Sequence, residues 1–290
     1  MYNFEIVSDS SHDLPVEYVK ENGIHSISFY VKLKTEEYIK DQTDITKEEF
    51  YNQLREDESI FPQTSQPSSY DYGEAFRKIA AEGKDIICTT VASVLSGSYN
   101  SANLAANEVM AEYPDIKIYV INTKSCSLGI ATMLIKAVEM RSEGKTVDEC
   151  YELLLKKADS SEIYIALDTL NYLEKGGRIS KPGAVAASLL NIKPIVSLKG
   201  NKLHIEGASR GSKKSHDKIL KLLDAKIHAN PENYDIAVIH GDIEDIANKT
   251  KGRIEEKYGI KVDLDVALVS PAVISHIGPR AMAICVTERI

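Results

Sequence analysis

Asp85-Ile86-Ile87-Cys88-Thr89-Thr90 is a short apolar run set between two segments of helical period, and that alternation decides the fold class. Upstream, Ser69 to Ala81 reads as a helix stopped at Gly83, since glycine accepts the left-handed backbone that commonly ends a helix. Downstream, a helix begins near Ser98, puts Ala102, Ala105, Ala106 and Val109 on one face and ends before Pro114. A strand from Ile116 to Ile121 follows. Strands that alternate with helices in this way pack as a mostly parallel sheet covered by helices.

The same texture extends outward on both sides. Phe4 to Val7 and Ile24 to Val31 read as strands, and Thr46-Lys47-Glu48-Glu49 is a capping box opening a helix that carries Phe50 and Leu54. Beyond a helix from Thr146 to Ala158 and a strand from Ile163 to Leu167, a Gly176-Gly177 turn precedes an Ala-rich helix near Ala184 to Leu190. Pro194 to Leu198 and Lys202 to Ala208 flank Lys199-Gly200-Asn201 as a β-hairpin. Two amphipathic helices follow, marked by Ile219, Leu222, Leu223 and Ile227 and by Ile243, Ile246, Ala247 and Ile254. Strands at Ile236 to His240, Val262 to Val269 and Ala281 to Val286 close the chain. The expectation is an α/β protein of two directly packed domains. Residues 1–160 form an N-terminal unit on a mostly parallel sheet, and residues 161–290 a C-terminal unit on a mixed sheet, with a ligand between them.

A chain of 290 residues with 43% hydrophobic residues can bury a core larger than one domain usually carries. Its formal charge of -8 opposes binding to a phosphate backbone, so nucleic acid is not an expected partner. Four cysteines lack the spacing of a zinc or redox motif and suit a reducing compartment. Phe4-Glu5-Ile6-Val7-Ser8-Asp9 has neither the basic nor the long apolar region of a signal peptide, and no run is long enough to span a membrane. A cytoplasmic location is expected. The phosphate-loop, dinucleotide, nucleophile-elbow and zinc-protease motifs are all missing, so no metal or cofactor is expected.

Two hydroxyl-rich segments stand out, Thr64-Ser65-Gln66-Pro67-Ser68 and Ser96-Gly97-Ser98. Each reads as a loop-to-helix junction, where free N–H groups and the positive end of the helix dipole hold an anion without a basic residue. The plain alternative is that these hydroxyls are only helix caps. A nucleophilic Ser96 or Ser98 would need a base, which His240 or His276 could supply only through the fold. In the second half, Arg178 follows paired glycines within Gly176-Gly177-Arg178-Ile179-Ser180 and could reach an anion or simply be solvated; Arg210 and His276 are further candidates. Asp9-Ser10-Ser11 occupies the loop position where open α/β sheets bind ligands, but ranks below the two hydroxyl segments.

Taken in order along almost the whole chain, these motifs resemble the DegV family of bacterial fatty-acid-binding proteins. The resemblance rests on Ser8-Asp9-Ser10-Ser11 with Asp13-Leu14-Pro15, Asp44-Ile45-Thr46 with Glu49-Phe50-Tyr51, and the two hydroxyl segments. It continues through Tyr172-Leu173 with Gly176-Gly177-Arg178-Ile179-Ser180, Leu190-Asn191-Ile192-Lys193-Pro194-Ile195, and His276 with Gly278-Pro279. It implies a long-chain fatty acid such as palmitate in a tunnel covered by the C-terminal domain, its carboxylate held by Thr64 and Ser96. Ser65, Gly97, Ser98, Arg178, Arg210 and His276 fall near the head group or a partner surface. The resemblance also implies a binder rather than an enzyme. It would present the acid to a separate ATP-dependent kinase, whose acyl phosphate feeds phospholipid synthesis. The rival reading is a serine-dependent acyl hydrolase or a phosphoryl-transfer enzyme on a related fold.

The chain departs from the family pattern at four places. Ser98 replaces a threonine and keeps the hydroxyl. Ile277 replaces a hydroxyl residue after His276, and Arg280 replaces a glycine, so if that glycine takes a positive φ, Arg280 is strained or the loop differs. Gln42 stands where the family often has glycine, which bears on a local turn.

Overall fold

The computed structural model describes residues 3–34, 37–57, 59–179, 191–262 and 264–290; Ser180 and the Ala-rich segment 184–190 lie outside them. In chain order the first half contains β1 (Phe4–Asp9), α1 (Val16–Glu21), β2 (Ile24–Ile27), β3 (Tyr30–Lys32), β4 (Ile39–Lys40), α2 (Lys47–Glu56), β5 (Gln63–Ser65), α3 (Ser69–Ala80), β6 (Asp85–Thr90), α4 (Ser98–Glu112) and β7 (Ile118–Asn122). Next come α5 (Leu128–Ser142), α6 (Val147–Ser160), β8 (Glu162–Ala166), α7 (Asn171–Lys175), β9 (Ile192–Lys199) and β10 (Lys202–Arg210). The chain ends with α8 (Ser212–Ile227), β11 (Tyr234–His240), α9 (Glu244–Tyr258), β12 (Ala267–Leu268), α10 (Pro271–Ile277) and β13 (Met282–Glu288).

These elements form an α/β fold. A parallel sheet has the order β2-β1-β6-β7, and a mixed six-stranded sheet the order β10-β9-β8-β13-β11-β12. Period-two alternation along the strands decides what each face covers. Val7, Ile86, Cys88, Ile118 and Val120 of the parallel sheet pack on Tyr72 and Phe76 of α3 and Ala102, Ala105 and Val109 of α4. Phe4, Ile6, Ile87 and Ile121 point the other way, into a cluster with α5, α6 and the inner face of the mixed sheet at Ile163, Ile165, Val196, Leu198, Ala283 and Cys285. The outer face of the mixed sheet, with Tyr164, Ile195, Ile236, Val238 and Ile284, is covered by Ile219, Leu223 and Ile227 of α8 and Ala247 and Ile254 of α9. The result is five layers, helix–sheet–helix–sheet–helix, and the middle cluster joins side chains from both sides of residue 160.

The middle layer explains α5, a helix that periodicity does not reveal. Residues Leu128 to Leu134 are buried in succession, so the helix has no polar stripe to set a 3.6-residue period. Its one deeply buried cation, Arg141, is held by Glu5 at 3.1 Å. All four cysteines are buried and unpaired.

Two strand expectations are corrected. The run Ile24 to Val31 is divided between two sheets: β2 joins the parallel sheet, while β3 joins a small antiparallel sheet of order β4-β3-β5. The break falls where the Phe29 amide donates to Ser10 Oγ at 2.9 Å instead of continuing a ladder. Among the described residues, the run Val262 to Val269 contributes only Ala267–Leu268 to a strand, and the Val262 amide is instead taken by Glu255 Oε1 at 3.0 Å.

Candidate functional site

The two hydroxyl segments are not both helix starts. Thr64 and Ser65 lie on β5, where Thr64 pairs with Val31 and Ser65 with Tyr30. The helix opens later, with Ser68 and Asp71 forming a complete capping box for α3. Capping thus accounts for Ser68 and leaves the Thr64 hydroxyl for something else. At the second segment Gly97 is the cap position of α4, and Ser96 precedes it.

The segments nevertheless converge, and the link is a residue that pattern reading passed over. Gln66 donates through Nε2 to Ser101 Oγ at 3.0 Å, and its amide lies so close to Gly97 that a Cβ there would sit 2.5 Å from Oε1. Gly97 thus serves space rather than backbone freedom, and a side chain there would displace the Gln66 amide from its present position. The motif signal for Gln66 was its place between Thr64 and Ser68.

Between these segments and the inner face of the mixed sheet lies a cavity of about 70 Å³, within a cleft whose empty space is about 650 Å³ when the open solvent is counted in. Its polar lining is Ser11, Thr64, Ser96, Arg178 and His276; the remainder is apolar, with Ile165, Leu198 and Leu203 contributed by three adjacent strands. Thr64 Oγ1 and His276 Nε2 share a hydrogen bond of 2.8 Å across 212 residues of sequence. Burial, then the neighbouring Arg178 charge, pushes the His276 imidazole down to about 4, so the ring is neutral at pH 7. Its Nδ1 is buried and has no partner among the described residues. A bare nitrogen acceptor is less costly there than a bare N–H donor, which favours the tautomer in which Nε2–H donates to Thr64. That arrangement leaves the Thr64 proton to a ligand.

Arg178 is half-buried. Its Nε donates to the Leu95 carbonyl at 2.8 Å and its Nη1 to the Gly176 carbonyl. Burial lowers its pKa from the ordinary value, and no carboxylate pairs with it among the described residues. It is a cation beside an apolar cavity whose hydrogen bonds are to neutral carbonyls. The loop it grips is also clipped to the β9–β10 turn, where Asn201 Nδ2 donates to Ser93 Oγ at 2.9 Å.

Other expected site residues are placed elsewhere. Ser98 is fully buried, with its hydroxyl bonded to Asp9 Oδ2 at 2.7 Å and Tyr72 OH at 2.7 Å, so it does not line the cavity. Ser65 is exposed on β5, and Arg210 is exposed at the end of β10 opposite Ile192. Ser96 Oγ accepts from the Ser98 amide at 3.2 Å, and among the described residues no histidine or carboxylate bonds to it. His240 accepts from the Ile243 amide at 3.2 Å and is no base for that serine. Among the described residues there is no group of three or more His, Cys, Asp or Glu side chains fit to hold a metal ion, and no helix is long and apolar enough to cross a membrane.

The two glycine departures take the backbone that glycine favours. Gln42 has φ 61° and Arg280 φ 61°. Gln42 Nε2 donates to the Ser10 carbonyl at 2.7 Å, and the Arg280 amide donates to the Gly241 carbonyl at 2.6 Å. Each of these residues bears the left-handed strain that glycine would avoid. Ile277 lines the cavity.

The family model that matches residues 3–289 describes an uncharacterised protein of the DegV family. The chain belongs to the DegV family. Among DegV relatives, a DegV domain-containing protein of Clostridium perfringens is 33% identical over 98% of this chain and 97% of its own length. A stearic-acid-binding protein from Eubacterium ventriosum has a similar structure, with a TM-score of 0.91 and 28% identity over 98% of both chains. A DegV protein of Thermus thermophilus, described for its fatty acid binding, superposes with a TM-score of 0.87 at 28% identity over the whole of both chains.

Proposed function

We propose that this chain binds a long-chain fatty acid, with the tail in the cavity and the carboxylate at Thr64, Ser96 and Arg178. The observation that carries the reading is the pairing of an apolar cavity with a half-buried guanidinium that has no counter-ion among the described residues, beside the Thr64–His276 hydrogen bond. At roughly 0.8 kcal/mol per buried methylene, a long tail contributes on the order of 10 kcal/mol before ordering costs. A carboxylate buried without partners would cancel several kcal/mol of that, so the donors at one end decide which amphiphiles fit. The stearic-acid-binding relative of Eubacterium ventriosum supports the ligand class.

The family resemblance extends the reading to a carrier that is not itself a catalyst. The bound acid is presented to a separate ATP-dependent kinase, which phosphorylates the carboxylate for phospholipid synthesis. Residues 1–160 supply Thr64 and Ser96 as the N-terminal domain, and residues 161–290 cover the acyl chain.

Mass spectrometry of a solvent extract from purified protein is the deciding experiment. A long-chain acid should be found at close to one per chain and be lost from the Thr64→Ala, Ser96→Ala double variant. An empty extract together with no uptake of added fatty acid refutes the proposal.

A further inference from the structure

Asp9 ends the central strand β1 and is completely buried, yet among the described residues none of its hydrogen bonds comes from a cation. Its Oδ1 accepts from the Ser11 amide at 3.3 Å and the Ser11 hydroxyl at 2.5 Å, and its Oδ2 accepts from the Val91 amide at 2.9 Å and the Ser98 hydroxyl at 2.7 Å. Ser11 and Val91 line the cavity, and Ser98 is tied to a third lining residue because its amide donates to Ser96 Oγ. One carboxylate therefore anchors both ends of the 91–98 segment and the turn after β1.

We propose that Asp9 is a positioning residue of the head-group site, fixing the direction of its hydroxyl protons so that Ser96 faces the ligand as a donor. The claim rests on the fatty-acid reading above. In its ionised form, which two backbone N–H groups and two hydroxyls support against the burial that raises its pKa, Asp9 only accepts, so Ser98 must donate to it and Tyr72 must then donate to Ser98. The Ser98 amide fills an acceptor position of Ser96, whose own proton has no acceptor among the described residues and is left for a ligand oxygen. Two of the four donors to Asp9 are backbone N–H groups, one on each oxygen, and neither can be reversed.

That last point makes Asp9→Asn informative. Whichever way the amide is turned, its NH₂ faces a backbone N–H, either that of Ser11 or that of Val91. One donor then loses its acceptor and the segment it belongs to shifts, while the apolar cavity walls contributed by the mixed sheet are untouched.

The readout is selectivity between a C16 or C18 fatty acid and the alcohol of the same chain, titrated separately against wild type, Asp9→Asn, Ser98→Ala and Ser98→Thr. A general loss of structure lowers both affinities together. A loss of head-group positioning lowers the acid affinity alone. The expected result is at least a tenfold fall in the acid-to-alcohol ratio for Asp9→Asn, a smaller fall for Ser98→Ala, and recovery in Ser98→Thr. If Asp9→Asn does not fold, the two Ser98 variants carry the test. Equal losses for acid and alcohol, or an unchanged ratio in Ser98→Ala, overturn the inference while leaving fatty acid binding intact. Wild-type protein that takes up neither ligand overturns the fatty-acid reading and this inference with it.

Discussion

Gly176→Ala is a one-carbon perturbation aimed at the Thr64–His276 pair from the far side. Gly176 ends α7 with φ −72° and ψ −10°, an ordinary right-handed conformation, so alanine meets no backbone penalty there. Helix propensity alone favours the change by up to about 1 kcal/mol. Space opposes it. The new Cβ would fall far inside contact distance of His276 Nδ1, 3.1 Å from His276 Cε1 and 3.0 Å from the Tyr172 carbonyl. The imidazole cannot retreat straight ahead, because its Nε2 is already 2.8 Å from Thr64 Oγ1. It must swing aside and break that bond.

Overpacking of this kind costs about 1–3 kcal/mol, and a half-buried hydrogen bond left unmade about 1–3 kcal/mol more. Set against the propensity gain, the net loss is about 1–5 kcal/mol, which at about 2–4 °C per kcal/mol for a chain of this size lowers Tm by at least a few degrees. Because the Thr64 hydroxyl loses the donor that orients it, acid affinity should fall about tenfold as well. Thermal unfolding and titration with a long-chain fatty acid check both numbers. A variant that melts at or above the wild-type temperature and binds the acid unchanged would refute the account of Gly176 as the backing of His276.

Asp41 is completely buried, and desolvation, then the nearby Asp13 charge, pushes its carboxyl up to about 7. With the folded value above the unfolded one of about 3.8, its contribution to stability is full at low pH and is lost as pH rises through 7. Asp41→Asn does not titrate, so its stability relative to wild type should improve by about 2–3 kcal/mol between pH 5 and pH 8, read from urea unfolding at each pH. A difference that is flat with pH rules this out. At position 280, the left-handed φ of 61° costs a non-glycine residue about 1 kcal/mol, while the exposed Arg280–Asp168 pair at 3.3 Å returns less than that. Denaturant midpoints should therefore rank Arg280→Gly at or above wild type and Arg280→Val clearly below it; the reverse order would mean that the side chain, not the turn, decides stability there.

What could be read from the sequence was whatever is encoded within a few residues. The strand Asp85–Thr90 and the capping box at Thr46 occur where local pattern puts them, because alternation and caps are short-range properties. The Thr64 and Ser96 segments were legible as hydroxyl-rich breaks in the apolar pattern, and Gln42 and Arg280 as side chains where glycine is usual. Local pattern places Thr64 at a helix start because Ser68, four residues on, is a true cap, and a cap signal has no way of saying which nearby hydroxyl it consumes.

The remaining features depend on partners far away in sequence. The helix α5 shows no amphipathic stripe because two sheets cover it, and the second of those sheets begins only at Glu162. The same reasoning separates Ser96 from Ser98. In sequence they are two equivalent hydroxyls flanking a glycine, yet Asp9, 89 residues before Ser98, takes one hydroxyl into the core. A hydroxyl bound to a buried carboxylate has given up its proton to the fold, whereas one that only accepts from a backbone amide still has a proton to give. On the proposed reading, which serine can hold a ligand's oxygen follows from where β1 ends, because Asp9 takes the Ser98 proton and leaves that of Ser96.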